Sequence, residues 1–169
     1  WKTVKKGLAD VITYTTMIKV LVTNSRRVSL AEKIFAEEIT CADVKTYNCM
    51  ISAAGKNKDL PLAKKVFDEA VGKRYADAIT YISMIEAYWS NRDSIKAEEL
   101  FHKYEKKIIA FVAENKNYGN NMLDFHGLCE STTYFVLIHH LPDFIDNHFD
   151  EKDYGQDNSL SLSFILGRG

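Results

Sequence analysis

Asp124 and His126 stand two residues apart with Gly127 directly behind them, and the sequence closes on Gly167-Arg168-Gly169. These residue types suit acid–base work at a phosphate. An imidazole titrates near neutral pH and can shuttle a proton, while a carboxylate beside it can orient the ring or hold a cation. Glycines let backbone N–H groups come close to a phosphate, and a guanidinium stabilises charge developing on it. The alternative is local: Asp124 and His126 hydrogen-bond to tie down a strand end, and Gly167 and Gly169 make a tight turn.

The elements around these residues would bring them together. Met122 to Gly127 reads as a short strand ending in glycine. Ser131 and Thr132 can cap a helix running to about His140, and Pro142 breaks it or starts a further turn to Phe149. A polar loop spans 150–159, and Leu160-Ser-Leu-Ser-Phe-Ile165 alternates like a second strand. Strand, helix, strand predicts a βαβ unit with parallel strands and a right-handed crossover. His126-Gly127 and Gly167-Arg168-Gly169 would then share the edge at the carboxyl ends of the strands, where α/β sites form. His139 and His140, with His148 nearby, do not read as metal ligands, because adjacent residues on a helix point in different directions; the expectation there is no metal.

The first two-thirds of the chain is organised differently. A block recurs as Asp10-Val-Ile-Thr-Tyr-Thr-Thr-Met-Ile18, Asp43-Val-Lys-Thr-Tyr-Asn-Cys-Met-Ile51 and Asp77-Ala-Ile-Thr-Tyr-Ile-Ser-Met-Ile85, its tyrosines 33 and 34 residues apart. Ala-x-x-x-Phe pairs answer at Ala31/Phe35, Ala63/Phe67 and Ala97/Phe101. A period in the thirties marks stacked helix pairs, since one pair cannot bury its apolar face alone. Tyr, Met and Ile fall at i, i+3 and i+4 on the first helix of each pair, which is the pattern of a core stripe. The leading aspartates suit helix caps. Second helices begin near Ser29, Pro61 and Ser94, and the last runs on to Glu114 before a linker at Asn115–Asn121.

Composition narrows the function classes. At 46% hydrophobic and 27% charged the chain is globular, and its longest apolar runs are too short for a membrane span. Three cysteines without CxxC spacing argue against a disulfide framework and a zinc site and favour a reducing compartment. Residues 1–118 carry a net charge of +5 and residues 119–169 a net of −6, so the two parts differ in character. Basic residues gather at Arg26, Arg27, Lys56, Lys58, Lys64, Lys65, Lys73 and Arg74, a surface that favours a nucleic-acid backbone or is simply a solvated mixed-charge face.

The Thr-Tyr-x-x-Met-Ile blocks with their Ala-x-x-x-Phe partners resemble the pentatricopeptide repeat over residues 10–108. That resemblance implies a solenoid binding single-stranded RNA along its first helices, one base per repeat. The base would be read by the residue after Thr-Tyr together with the last residue of the repeat. Thr15 with Asp43 resembles a guanine-preferring pair and Asn48 with Asp77 a uracil-preferring pair; short hydroxyl, amide and carboxylate groups can meet a Watson–Crick edge. Asp43 and Asp77 as plain helix caps is the alternative. The third block departs from the pattern, with Ile82 at the reading position. Thr15 and Asn48 are expected to look out from one concavity.

Downstream, Leu123-Asp-Phe-His-Gly127 resembles the first signature of the small MutS-related (Smr) domain. Leu166-Gly-Arg-Gly169 resembles the second, with Leu166 in place of Thr. Some Smr domains act as nucleases, which would make Asp124, His126 and Arg168 candidate catalytic residues and Gly127, Gly167 and Gly169 candidate phosphate-binding positions. The acidic Asp143, Asp146, Asp150, Glu151 and Asp153 count against phosphate there.

The expected fold is mainly α, a short α-solenoid of helix-turn-helix repeats followed by a partial α/β (βαβ) Smr-like module. Its parts are the end of a preceding element at 1–9, repeats at 10–42, 43–76 and 77–114, a linker at 115–121, and the partial module at 122–169. The expected partner is single-stranded RNA, with protein partners in a larger ribonucleoprotein assembly and no membrane. No cofactor is expected, save a divalent cation if the module is a nuclease. The resemblance implies RNA processing or expression, intracellular and in a mitochondrion or plastid. A protein-interaction scaffold and an active Smr-type endoribonuclease are the competing readings.

Overall fold

The computed structural model describes residues 11–22, 27–37, 42–114, 122–124, 128–148 and 163–165. Two of the leading aspartates, Asp43 and Asp77, start helices, and Asp10 lies outside the described residues. Asp43 Oδ1 accepts from the Thr46 amide at 2.8 Å, and Asp77 Oδ1 from the Thr80 amide at 2.8 Å, where Thr80 Oγ1 also accepts from the Asp77 amide at 3.1 Å. Each satisfies backbone donors that a helix start leaves unpaired. The helices are α1 (Val11–Val22), α2 (Val28–Glu37), α3 (Val44–Lys56), α4 (Leu60–Gly72), α5 (Ala78–Ser90), α6 (Ser94–Glu114) and α7 (Glu130–His148). They form three hairpins, α1–α2, α3–α4 and α5–α6, and the first helices stack, α1 on α3 and α3 on α5.

Three turns end these helices in one way. After α3 the Asp59 amide bonds Ala54 O at 2.9 Å and the Lys58 amide bonds Gly55 O at 3.0 Å; Tyr75/Ala70 with Arg74/Val71, and Asp93/Tyr88 with Arg92/Trp89, repeat the pair. This double bond pattern satisfies the last carbonyls and needs a left-handed residue. Lys58, Arg74 and Arg92 take it, with φ of 65°, 61° and 64°.

The repeated apolar residues are the core. Tyr14, Ile18, Tyr47, Met50, Ile51, Tyr81, Met84 and Ile85 are buried, as are Ala31, Ala63 and Ala97. The phenylalanines bridge one hairpin to the next. Phe35 meets Tyr47 edge-on at 5.2 Å between centroids, and Phe67 meets Tyr81 at 6.1 Å. α3 and α5 approach closely at Gly55, where an added Cβ would lie 2.6 Å from Ala87 Cβ and 2.8 Å from its Cα. Asn91 Nδ2 seals that contact, donating to Gly55 O at 3.0 Å and Ala87 O at 2.7 Å.

One element differs from its expected form. The last helix is one piece, Glu130–His148, with Pro142 inside it rather than ending it. Ser131 and Thr132 are not its caps. Both are buried; Ser131 Oγ donates to Glu86 Oε2 of α5 at 2.8 Å, and the Thr133 amide bonds Cys129 O at 3.0 Å. The helix packs against α5 and α6 as α5 packs against α3 and α4, with Phe135 against Phe101 (5.4 Å) and Trp89 (5.5 Å). Strands β1 (Met122–Asp124) and β2 (Ser163–Ile165) pair in parallel, Leu123 opposite Phe164. Among the described residues, no helix is long and apolar enough to cross a membrane.

Candidate nucleic-acid interface

On α3 the residues Lys45, Asn48, Cys49, Ser52 and Lys56 recur at helical spacing beside the apolar stripe, so they form a second, polar face. That face lines a cleft of about 650 Å³ bordered by Lys19 of α1 and by Asp77 and Ile79 at the start of α5. Lys19, Lys45 and Lys56 are exposed there, with no acidic partner in salt-bridge range among the described residues. Their charge reaches into the cleft: burial raises the Cys49 thiol above its ordinary pKa, opposed by Lys19 and Lys56. Cys49 is therefore a thiol and not a nucleophile at neutral pH.

Asn48 and Asp77 meet at the bottom of this face. Asn48 Nδ2 donates to Asp77 Oδ1 at 3.1 Å, and Thr80 Oγ1 donates to Asn48 Oδ1 at 2.6 Å. Thr80 has one hydroxyl proton, so the short bond to Asn48 takes it and the Asp77 contact at 2.9 Å is secondary. The hydrogen bonds to Asp77 fall on Oδ1, and Asn48 uses one of its two amide protons. A donor and an acceptor thus remain side by side, which is what a Watson–Crick edge requires. Capping and edge recognition are compatible uses of the same aspartate.

The first block repeats the relay but ends differently. Thr46 Oγ1 donates to Asp43 Oδ1 at 2.7 Å, which makes Thr15 the donor in its 2.7 Å contact with Thr46 Oγ1. Thr15 is buried at 9% exposure and does not share an open concavity with Asn48. The reason is reach: a hydroxyl on Cβ stops at Thr46, whereas the longer amide of Asn48 extends to Asp77. Asp43 is exposed. Burial raises its carboxyl, but the Thr46 side-chain and amide hydrogen bonds and the Lys45 charge outweigh this and hold it below the ordinary 3.8. A depressed folded pKa contributes stability above the unfolded value that is lost as pH falls through the folded one. Asp43→Ala should cost about 1 kcal/mol at neutral pH, with the difference from the parent vanishing in urea melts carried out well below about pH 4. At the third block Ile82 is buried and presents no polar group.

Of the basic residues that stand out in sequence, Lys56 lines the cleft, while Lys58, Lys64, Lys65 and Lys73 do not. Lys64 pairs with Asp68, Lys65 with Glu32 at 3.6 Å, and Lys73 with Glu69 at 2.6 Å. Lys73 also donates to Tyr47 Oη at 2.9 Å, and the Glu69 and Tyr47 bonds raise its pKa. For these three, the mixed-charge face is the correct description. Lys58 donates to Ser90 O, and Arg26 lies outside the described residues. Lys19 and Lys45 went unnoticed in sequence; the signal was their place on the same helical face as the residue after Thr-Tyr.

Of the other candidates, Asp124 ends β1, while His126, Gly127, Gly167, Arg168 and Gly169 lie outside the described residues.

Residues 45–75 and 79–107 match the family model of the PPR repeat. No curated protein matches the chain. The second and third hairpins, α3–α4 and α5–α6, are thus two PPR repeats within a mainly helical chain.

Proposed function

We propose that the chain binds single-stranded RNA in the first-helix cleft, with Asn48 and Asp77 meeting a base edge and Lys19, Lys45 and Lys56 holding the phosphates. The observation that carries this is the pairing of unneutralised lysines with an unspent donor and acceptor in one 650 Å³ cleft. Ile79, on the rim, offers an apolar surface against which a base can stack. The resemblance of Asn48 with Asp77 to a uracil-preferring pair supports uracil at that place. One such pair selects weakly, so backbone contacts carry most of the affinity. By the same resemblance, the chain would act in RNA processing or expression in a mitochondrion or plastid.

The test is fluorescence anisotropy of labelled single-stranded RNA with the whole chain at rising salt. Binding that weakens steeply with salt is expected. Absence of binding to any RNA at low salt ends this reading and favours a protein partner for the array.

A second reading, a partial Smr-type module with nuclease activity, is favoured by the parallel β1–β2 pair on either side of α7. Parallel pairing puts the carboxyl ends of both strands at one edge, next in sequence to His126-Gly127 and Gly167-Arg168-Gly169. There His126 would move the proton, Asp124 would orient it or hold a divalent cation, and Arg168 would meet the phosphate. Running the incubated RNA on a denaturing gel tests this; equal cleavage by the parent and His126→Ala removes His126 from the reaction.

A further inference from the structure

The sequence draws attention to His139, His140 and His148 as neighbours, but the fold assembles a different set. Glu98 and His102 are four residues apart on α6, hence on one face, and α7 lays His139 against them. The donor atoms of Glu98, His102 and His139 all lie within 4.8 Å of one another. His139 Nε2 is 3.5 Å from Glu98 Oε1, and His102 Nε2 is 3.9 Å from the same oxygen. A tetrahedral ion with bonds of about 2.0–2.1 Å separates its ligands by roughly 3.3 Å. Small side-chain rotations therefore bring the three donors onto one ion.

Two further observations point to a ligand. His139 Nε2 is buried and makes no hydrogen bond, although its ring is held in place, stacked 5.9 Å from Phe101 and 6.5 Å from Phe135. A buried polar atom left without a partner is costly unless something else satisfies it. In addition, Glu105 Oε2 faces His102 Nδ1 at 3.5 Å, so a carboxylate stands behind the ring and leaves Nε2 for coordination. The other oxygen of Glu105 lies 2.8 Å from His140 Nε2. His139 and His140 both face α6, but only His139 joins the cluster.

We infer that Glu98, His102 and His139 form a binding site for a divalent transition-metal ion of the zinc class. Two imidazoles and one carboxylate are a set that such ions favour over calcium or magnesium, and three protein donors leave a fourth position for water. Because the ligands come from α6 and α7, the ion clamps the long second helix of the third hairpin to the helix that follows it. Its role is to hold this end of the array together.

The test uses Zn2+ alone, titrated into the whole chain in competition with a chromophoric chelator, with thermal melts alongside. One Zn2+ per chain and a rise in melting temperature on saturation are expected, since an ion that binds only the folded state stabilises it. Glu98→Gln keeps the shape of an exposed side chain and should fold normally. It should weaken Zn2+ by at least about tenfold and reduce the thermal shift. His139→Asn should weaken it in the same way. No saturable binding, or equal binding by the parent and Glu98→Gln, overturns the site.

Discussion

Gly55→Ala should destabilise the fold by about 2 kcal/mol and lower the melting temperature by roughly 4–8 °C. The direction runs against helix propensity, because alanine in a helix interior is worth about 1 kcal/mol more than glycine. Packing decides the sign. The added methyl would sit 2.6 Å from Ala87 Cβ and 2.8 Å from Ala87 Cα. One of these is backbone, so no rotamer change relieves it and α3 must move away from α5. That movement also strains the Asn91 bonds to Gly55 O and Ala87 O. A calorimetric or dichroism melt measures it. An unchanged or higher melting temperature would show that the two helices do not approach this closely.

Reversing the three cleft lysines together, Lys19→Glu with Lys45→Glu and Lys56→Glu, should weaken single-stranded RNA on the order of a hundredfold at low salt. Each phosphate contact on a single strand contributes about 0.7 to the slope of log affinity against log salt, so removing three should lower the slope by about two. All three side chains are exposed and carry no ion pair among the described residues, so the melting temperature should hardly move. Lys64→Glu with Lys65→Glu makes the comparison, because those cations already sit beside Asp68 and Glu32. Equal losses from the two sets would mean a diffuse charge effect with no part for the cleft.

How far the sequence could be read depended on the range of each interaction. Asp43 and Asp77 cap helices through residues three positions on, and the Tyr-Met-Ile stripe follows from 3.6 residues per turn. Both are local, so the hairpins and their core were legible before any coordinates. Ala63 and Phe67 were legible for the same reason. The partner of α7 was not: Phe135 meets Phe101 across 34 positions, and a helix cap at Ser131 looked as good in one dimension as the observed buried bond to Glu86.

The site divides along the same line. Asn48 with Asp77 was legible only through resemblance, because the partners lie on successive first helices, 29 positions apart. Thr15 misled because the motif position is equivalent while the side chain is a bond too short. Lys56 stands out in sequence, but Lys19 and Lys45 do not when basic residues are grouped by nearness in sequence rather than by helical face. The Glu98–His102 pair was hidden by the more conspicuous His139-His140, whose adjacency is irrelevant to what α6 places opposite them.

The seating of α7 also bears on where the array is weakest. In a linear stack each unit is held by its two neighbours, and a terminal unit loosens first. Phe101 and Ile108 have no solvent exposure even though the family match ends at residue 107. The second PPR repeat is therefore an interior unit as regards local opening, and its backbone amides should exchange with solvent as slowly as those of the repeat before it.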